Sequence, residues 1–333
     1  MTQCLQGMGL PNSETTEPTT ALVRRVGSAV LYGACSFLIT VVNKTVLTTY
    51  GFPSAQVLGL GQMAATVAVL IVARSINVLS FPPFDRGIFR KLWPLPLIYM
   101  GNVVFGLYGT KQLSLPMLTV LRRFSILMTM VGEFYLLGVR PTTAVQISVY
   151  TMILGAIIAA SNDLAFSAEG YISVLLNDFF TAANGVVVKQ KLDAAELGKY
   201  GLMFYNSLFM LPPATVFAWA TGELDRAIAF SDWDQPLFLV QFAASCVMGF
   251  VLTYSVMLCT MYNSALTTTV IGCLKNVCIT YLGMVIGGDY IFSWLNFIGI
   301  NVSVIGSLVY TWVTFRRKPR QEPKSNAAVT TVV

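Results

Sequence analysis

The chain has 333 residues, 55% of them apolar and 11% charged, with a formal net charge of +6 and a mean hydropathy of +0.69. Soluble domains carry roughly a quarter charged residues, so these values exclude an ordinary soluble domain and point to an integral membrane protein. The chain has no histidine, which removes His-based zinc sites and Ser-His or Cys-His catalysis. Of its six cysteines, all but Cys4 lie in or near apolar runs without metal-like spacing, so no metal, cofactor or disulfide framework is expected.

The first 20 residues are polar and lack a basic region followed by an apolar core, so no cleavable signal is expected and the first span itself directs insertion. Residues 1–25 read as a disordered cytosolic tail. Apolar runs of about 20 residues, the length that spans about 30 Å of hydrocarbon as a helix, recur at 26–48, 54–76, 93–112, 115–137, 142–161, 170–189, 200–220, 237–258, 263–286 and 290–313. Ten spans result, five in 26–161 and five in 170–315. The tail 316–333 is basic and proline-bearing, and reads as a solvated, disordered cytosolic end.

If the spans alternate in direction, the side bearing both termini holds 15 of the 21 Lys and Arg residues, from Arg24 and Arg25 through Arg86, Arg90 and Lys91 to the tail. The other side holds Lys44, Lys111 and Arg226, with the acidic stretch "TGELDRAIAFSDWDQ". The positive-inside rule then places both termini in the cytosol. The positive charge follows from this topology and does not indicate nucleic-acid binding.

The two halves echo each other at an offset of about 150 residues. Span 1 ends in "TVVNKTVLTTYGF" and span 6 in "GVVVKQKLDAAELGKYG", each with a lysine, Lys44 and Lys191, shortly before the next entry segment. Span 4 carries Arg122 after "LSLPMLTVL", and span 9 carries Lys275 after "NSALTTTVIGCL". Two similar units of five spans must insert in opposite senses, which gives an inverted repeat. The expected fold is an all-α membrane protein with ten transmembrane helices in a 5+5 inverted repeat, the architecture of a secondary transporter.

Arg122 and Arg123 lie inside span 4, where a cation costs several kcal/mol or more without compensation. Thr119, Arg122, Thr129 and Glu133 recur at helical spacing on one stripe, and Thr268, Gly272 and Lys275 form a comparable stripe on span 9. Gly272, one turn before the lysine, is expected to leave space beside its stem. Cations from related spans facing one cavity call for an anionic substrate, and a guanidinium fork suits phosphate better than carboxylate. A structural reading stands beside this one: Arg122 pairs with Glu133 or Asp178, or either arginine caps carbonyls in a broken helix.

Span 7 opens with "LGKYGLMFYNSLFMLPP", in which Tyr205, Asn206 and Ser207 bring a ring, an amide and a hydroxyl into one turn. These groups suit a nucleobase edge, and equally suit hydrogen bonding between helices in lipid. Gly59, Gly61 and the Gly/Ser positions of span 10 are expected to serve close helix packing, including contacts of a homodimer. The sequons at Asn43 and Asn301 abut or enter the membrane and are not expected to carry glycans. An intramembrane enzyme is disfavoured, because "GGDY" offers a single aspartate rather than a facing pair.

Together, "LSLPMLTVLRRF", "GKYGLMFYNS", "YNSALTTTVIGCLKN" and "GGDYIFSWLNFIGIN" resemble the nucleotide-sugar transporters of the drug/metabolite transporter superfamily, in the branch carrying UDP-glucuronate, UDP-N-acetylgalactosamine and UDP-N-acetylglucosamine. The likeness runs from about residue 26 to 315. It implies a multi-pass antiporter of Golgi or endoplasmic reticulum membranes that exchanges cytosolic nucleotide sugar for lumenal nucleoside monophosphate, here UMP. The terminal TTVV, without a retrieval lysine pair, favours Golgi.

The resemblance further implies phosphate or sugar contacts from Gly272, Lys275 and Asn276, and a substrate-binding cation at Arg122. The sugar would face the sides of span 1, with Asn43 and Lys44, and of span 9. In the GDP-mannose branch a Phe-Tyr-Asn-Asn run reads guanine; here Phe204, Tyr205 and Asn206 are followed by Ser207, which is compatible with uracil. A sugar-phosphate exchanger of the same superfamily is the alternative, and it needs no base-reading segment.

Overall fold

A computed structural model describes residues 16–112, 120–161, 168–286 and 294–316. The described residues are helical apart from turns and short connections. In chain order the helices are α1 (Thr16–Lys44), α2 (Ala55–Ser75), the short α3 (Gly87–Leu92), α4 (Leu95–Gln112), α5 (Phe124–Leu137), α6 (Thr143–Ala160), α7 (Ala168–Ala194), α8 (Gly198–Ala220), the short α9 (Glu223–Ile228), α10 (Pro236–Tyr262), α11 (Ala265–Ile286) and α12 (Trp294–Arg316). Among them α1, α2, α7, α10 and α12 contain segments long and apolar enough to cross a membrane, and α4, α5, α6 and α11 contain shorter apolar stretches.

The boundaries follow local chemistry. Ser54 caps α2 by accepting from Val57 N–H at 3.1 Å. Pro236 begins α10, where its missing N–H is not needed. Gly138, at φ 66°, ends α5 in the left-handed conformation that a side chain would disfavour. At the end of α1 the ladder widens into a π turn over Thr45–Thr49, directly after Asn43 and Lys44.

The start of α1 and the end of α12 meet at one end of the bundle, where the Arg25 guanidinium donates to the Thr314 carbonyl at 3.3 Å. Asn263, between α10 and α11, joins them by donating to the Arg25 carbonyl and to Ser28 Oγ. At this termini end a large apolar cluster, including Leu70, Leu92, Leu95, Leu202, Met203 and Met257, packs the ends of α2, α4, α7, α8 and α10 together. At the opposite end a smaller cluster around Phe52 and Phe238 ties α1 to α2 and α10.

Among the described residues the most extensive helix contact is α6 against α12, followed by α4 against α7 and α1 against α10. The α6–α12 seam depends on glycine: a Cβ on Gly299 would lie 2.5 Å from both Ala159 N and Gly155 O, and one on Gly155 2.6 Å from Ser303 N. The Gly299 and Ser303 positions of α12 thus serve the close helix packing expected of them, against α6. Gly61 fits the packing expectation, its Cβ falling 2.8 Å from Cys246 Sγ of α10. Gly59 does not, because it faces open space.

Candidate functional site

The two arginines of the fourth apolar run sit at a break in the helix. Val120 and Leu121 are helical, Arg122 and Arg123 form a turn, and α5 begins at Phe124. Across the turn the backbone bonds tighten to three-residue spacing, Arg123 N to Val120 O at 3.2 Å and Ile126 N to Arg123 O at 3.1 Å. The Arg122 carbonyl accepts from Ser125 Oγ at 2.6 Å. Ser125 N–H donates to the same carbonyl at 3.3 Å, so the carbonyl at the break is fully paired in an apolar setting.

The break sends the arginines in different directions. Arg122 lines a cavity of about 300 Å3 between α2, α4, α7 and α8, and its Nε has no hydrogen-bond partner. Arg123 is only 3% exposed and lies within electrostatic reach of Cys273 on α11. Asp178 of α7, 1% exposed, feels the charge of Arg122 without closing to a direct ion pair. Lys275 of α11 feels Arg122 as well. Among the described residues, Arg122 and Lys275 thus lie within electrostatic reach of each other, with Asp178 as the carboxylate that feels Arg122, an arrangement that an anion would relieve.

Glu133 is not the partner of Arg122 that the stripe on α5 suggested. Its carboxylate accepts from Leu266 N–H, in the first turn of α11, at 2.8 Å. It therefore caps another helix, where a negative charge complements the macrodipole. Thr129, one turn earlier, faces Thr269 of α11 with the hydroxyls 3.4 Å apart. The α5 stripe forms a seam with α11, and this seam brings the Arg122 and Lys275 levels of the two helices together.

Several other expected site residues are engaged elsewhere. Tyr205 is 1% exposed, donates to the Pro82 carbonyl at 2.7 Å, and packs among Phe81, Phe204 and Phe209 in the termini-end core. Ser207 is buried beside it, while Asn206 keeps a buried Oδ1 without a hydrogen-bond partner. Thr268 meets Thr260 of α10 at 3.1 Å. A Cβ on Gly272 would stand 2.9 Å from the Tyr32 hydroxyl, so this glycine makes room for α1 and not for the lysine stem. Asn43 accepts from Ser245 Oγ at 2.6 Å and from Gln62 Nε2 at 3.1 Å, and Lys44 is exposed. Thr119 and the Asn276 side chain lie outside the described residues.

Sequence reasoning missed the wall opposite Arg122: Tyr99 and Asn102 of α4, Asn177 of α7, and Gln56 beside Gly59 on α2. The available signal was polar side chains recurring in three apolar runs. Asn177 Nδ2 donates to the Asn102 carbonyl and Asn102 Nδ2 to Thr181 Oγ1, both at 2.7 Å.

Residues 28–311 match the model of the Triose-phosphate Transporter family. The chain is 60% identical to the UDP-sugar transporter UST74c of Drosophila melanogaster, across 91% of this chain and 81% of that protein. It is 55% identical to the UDP-sugar transporter sqv-7 of Caenorhabditis elegans, across 91% and 93% of the two chains. It is 52% identical to the nucleotide sugar transporter SLC35D2 of Homo sapiens, across 90% and 89%. A solved crystal structure matches at a TM-score of 0.61 and 13% identity, covering 87% of this chain and 99% of its own, a likeness that shows the fold alone. The chain belongs to the triose-phosphate transporter family, and within it to the nucleotide-sugar transporters of the drug/metabolite transporter superfamily; it is a transporter and not an enzyme.

Proposed function

We propose that the protein is a ten-span, 5+5 inverted-repeat antiporter that carries UDP-sugars of the UDP-glucuronate, UDP-N-acetylgalactosamine and UDP-N-acetylglucosamine class from the cytosol to the Golgi lumen, in exchange for UMP. The observation that carries this reading is that Arg122, at the break before α5, and Lys275 of α11 lie within electrostatic reach of each other in an apolar bundle. The diphosphate lies between them. Asn206, with its unsatisfied buried oxygen, is the group of the α8 segment free to meet the uracil edge.

The packing supports the repeat. Exchanging the halves maps α1 onto α7 and α4 onto α10, so the α1–α10 and α4–α7 contacts are mates, while α6–α12, α2–α8 and α5–α11 each map onto themselves. Arginine and lysine stacked on aromatic rings cluster at the termini end, Arg74 on Phe81 at 4.6 Å, Lys199 on Tyr200 at 4.7 Å and Arg316 on Trp312 at 4.7 Å. Basic residues anchored this way suit the cytosolic interface. On this topology the described state faces the lumen: the apolar cluster closes the cytosolic end of α2, α4, α7, α8 and α10. The cavity reaches Gln56 and Phe217 at the other end.

Exchange follows from the electrostatics. Unpaired, Arg122 and Lys275 repel in a medium of low dielectric and hold the cation end of α5 and α11 apart, so the empty carrier resists reorienting. A bound phosphate removes that resistance. A UDP-sugar with a neutral sugar carries about two negative charges and UMP about 1.5 to 2, so their one-for-one exchange is nearly electroneutral, while UDP-glucuronate brings about one further charge on its carboxylate. Proteoliposomes preloaded with UMP should take up labelled UDP-sugar at least tenfold faster than empty ones; equal rates refute obligatory exchange. The sugar-phosphate alternative is set aside on the names of the 52–60% identical relatives.

A further inference from the structure

We propose that Asn102, Asn177, Gln56 and Tyr99, beside Arg122 in the same cavity, form the subsite for the sugar ring, and that its two asparagine oxygens recognise hydroxyl and amide N–H donors. The proposal rests on the UDP-sugar reading above and names the part of the substrate this wall takes. It moves the sugar away from α1 and α11, where Asn43 is bonded to Ser245 and Gln62 and the space at Gly272 is filled by Tyr32.

The chemistry lies in how the amides are held. Asn177 donates to the Asn102 carbonyl and Asn102 donates to Thr181, so each side-chain amide is fixed through one N–H. An amide anchored by its nitrogen leaves Oδ1 as an acceptor. Two such oxygens on adjoining helices suit the hydroxyls of a pyranose. Gln56 is held the other way, its Oε1 accepting from Thr221 Oγ1 at 3.3 Å, which leaves its N–H groups to donate. The Tyr99 hydroxyl rests on Met63 Sδ at 3.7 Å. Gly59 faces open space, which keeps the α2 side of the cavity clear. At about 300 Å3 the cavity is at the lower bound of small-molecule pockets, enough for one ring and not for the whole nucleotide sugar.

Position completes the argument. Arg122 is the cation lining this cavity, so a phosphate held there delivers whatever lies distal to it into the Asn102–Asn177 wall. A uronate carboxylate brings no donor to two carbonyl oxygens and must point away from them. An N-acetyl group brings an N–H that either oxygen accepts. Within the UDP-sugar class the wall therefore favours N-acetylhexosamines at this contact.

The test measures competition for labelled-UMP exchange in proteoliposomes by unlabelled UDP-N-acetylglucosamine, UDP-glucuronate and UMP, in the unmodified protein and in Gly59→Leu, Gln56→Ala and Asn177→Ala. Gly59→Leu intrudes on open space, and thermal melting checks each variant for folding. The expected result is that the apparent affinity for UDP-N-acetylglucosamine relative to UMP falls at least tenfold in Gly59→Leu and severalfold in the other two. An unchanged ratio in all folded variants overturns the proposal, as does an equal loss for sugar nucleotide and UMP, which would assign the wall to the nucleotide. If the unmodified protein exchanges no UMP, the antiport reading itself fails, and that is seen before any variant is made.

Discussion

Thr129 of α5 and Thr269 of α11 face each other with hydroxyls 3.4 Å apart, and this contact sets the register of two antiparallel helices. Four residues further along α5, Glu133 meets Leu266, three residues back along α11. In the other direction, seven residues back along the chain lead to Arg122 and six forward lead to Lys275. At 1.5 Å per residue these steps are about 10 and 9 Å, so one seam carries a carboxylate latch at the termini end and a cation pair toward the middle of the bundle.

The latch gives the first prediction. Removing Glu133 leaves an α11 amide unsatisfied in an apolar setting, a loss of about 1–3 kcal/mol. Glu133→Ala should lower the melting temperature in detergent by several degrees. Glu133→Gln, which keeps a carbonyl acceptor and loses the charge at the helix N-terminus, should lower it by less. Equal melting of Ala and Gln variants would show that the cap is not what stabilises the seam.

Neutralising the cation pair has a two-sided effect. Lys275→Gln removes repulsion from the empty carrier, so stability should be unchanged or rise slightly, whereas Arg122→Gln also takes the compensating charge from buried Asp178 and should gain nothing or lose slightly. In both, UDP-sugar exchange falls more than tenfold for want of a phosphate partner. Lys275→Arg keeps the charge and should retain part of the activity. Loss of folding in either Gln variant, read by melting, would mean that the cations serve structure and not substrate.

The legible part of the fold was hydropathy: each of the ten apolar runs contains a helix among the described residues, five of them with segments long and apolar enough to cross a membrane. Arg122 with Lys275 was legible because a charge in an apolar run is costly whatever the fold. Tyr205 and Thr268 were misleading because a polar group in a span can be satisfied by a neighbouring helix, and sequence periodicity does not show which neighbour. Tyr205 finds Pro82, more than 120 residues earlier, and Thr268 finds Thr260 across a turn. The break at Arg122–Arg123 was legible only as one of two readings of a charged pair in an apolar run, and its position was not, since neither residue is glycine or proline and Ser125 hydrogen-bonds the Arg122 carbonyl from the following turn.

Glycines that look alike in sequence should respond differently. A Cβ on Gly299 meets backbone atoms of α6 at 2.5 Å, and backbone cannot step aside as a flexible side chain can. Gly299→Ala should cost about 1–3 kcal/mol through forced separation of α6 and α12. Gly59→Ala, facing open space, should leave melting within about 0.5 kcal/mol of the parent. Similar melting for the two would contradict the close α6–α12 approach.

Tyr205 separates a core role from a reading role. Its hydroxyl is committed to the Pro82 carbonyl and its ring to Phe81, Phe204 and Phe209, so Tyr205→Phe should cost about 0.5–1.5 kcal/mol for one hydrogen bond. Tyr205→Ala opens a cavity at the termini end and should cost about 3–5 kcal/mol. In both variants the discrimination of UDP- from GDP-sugars, measured on the fraction that remains folded, should match the parent, because neither change touches the Arg122 cavity. Asn206→Ala should by contrast weaken that discrimination at nearly unchanged stability. A shift in base preference in Tyr205→Phe would show that this hydroxyl leaves Pro82 to meet the nucleotide.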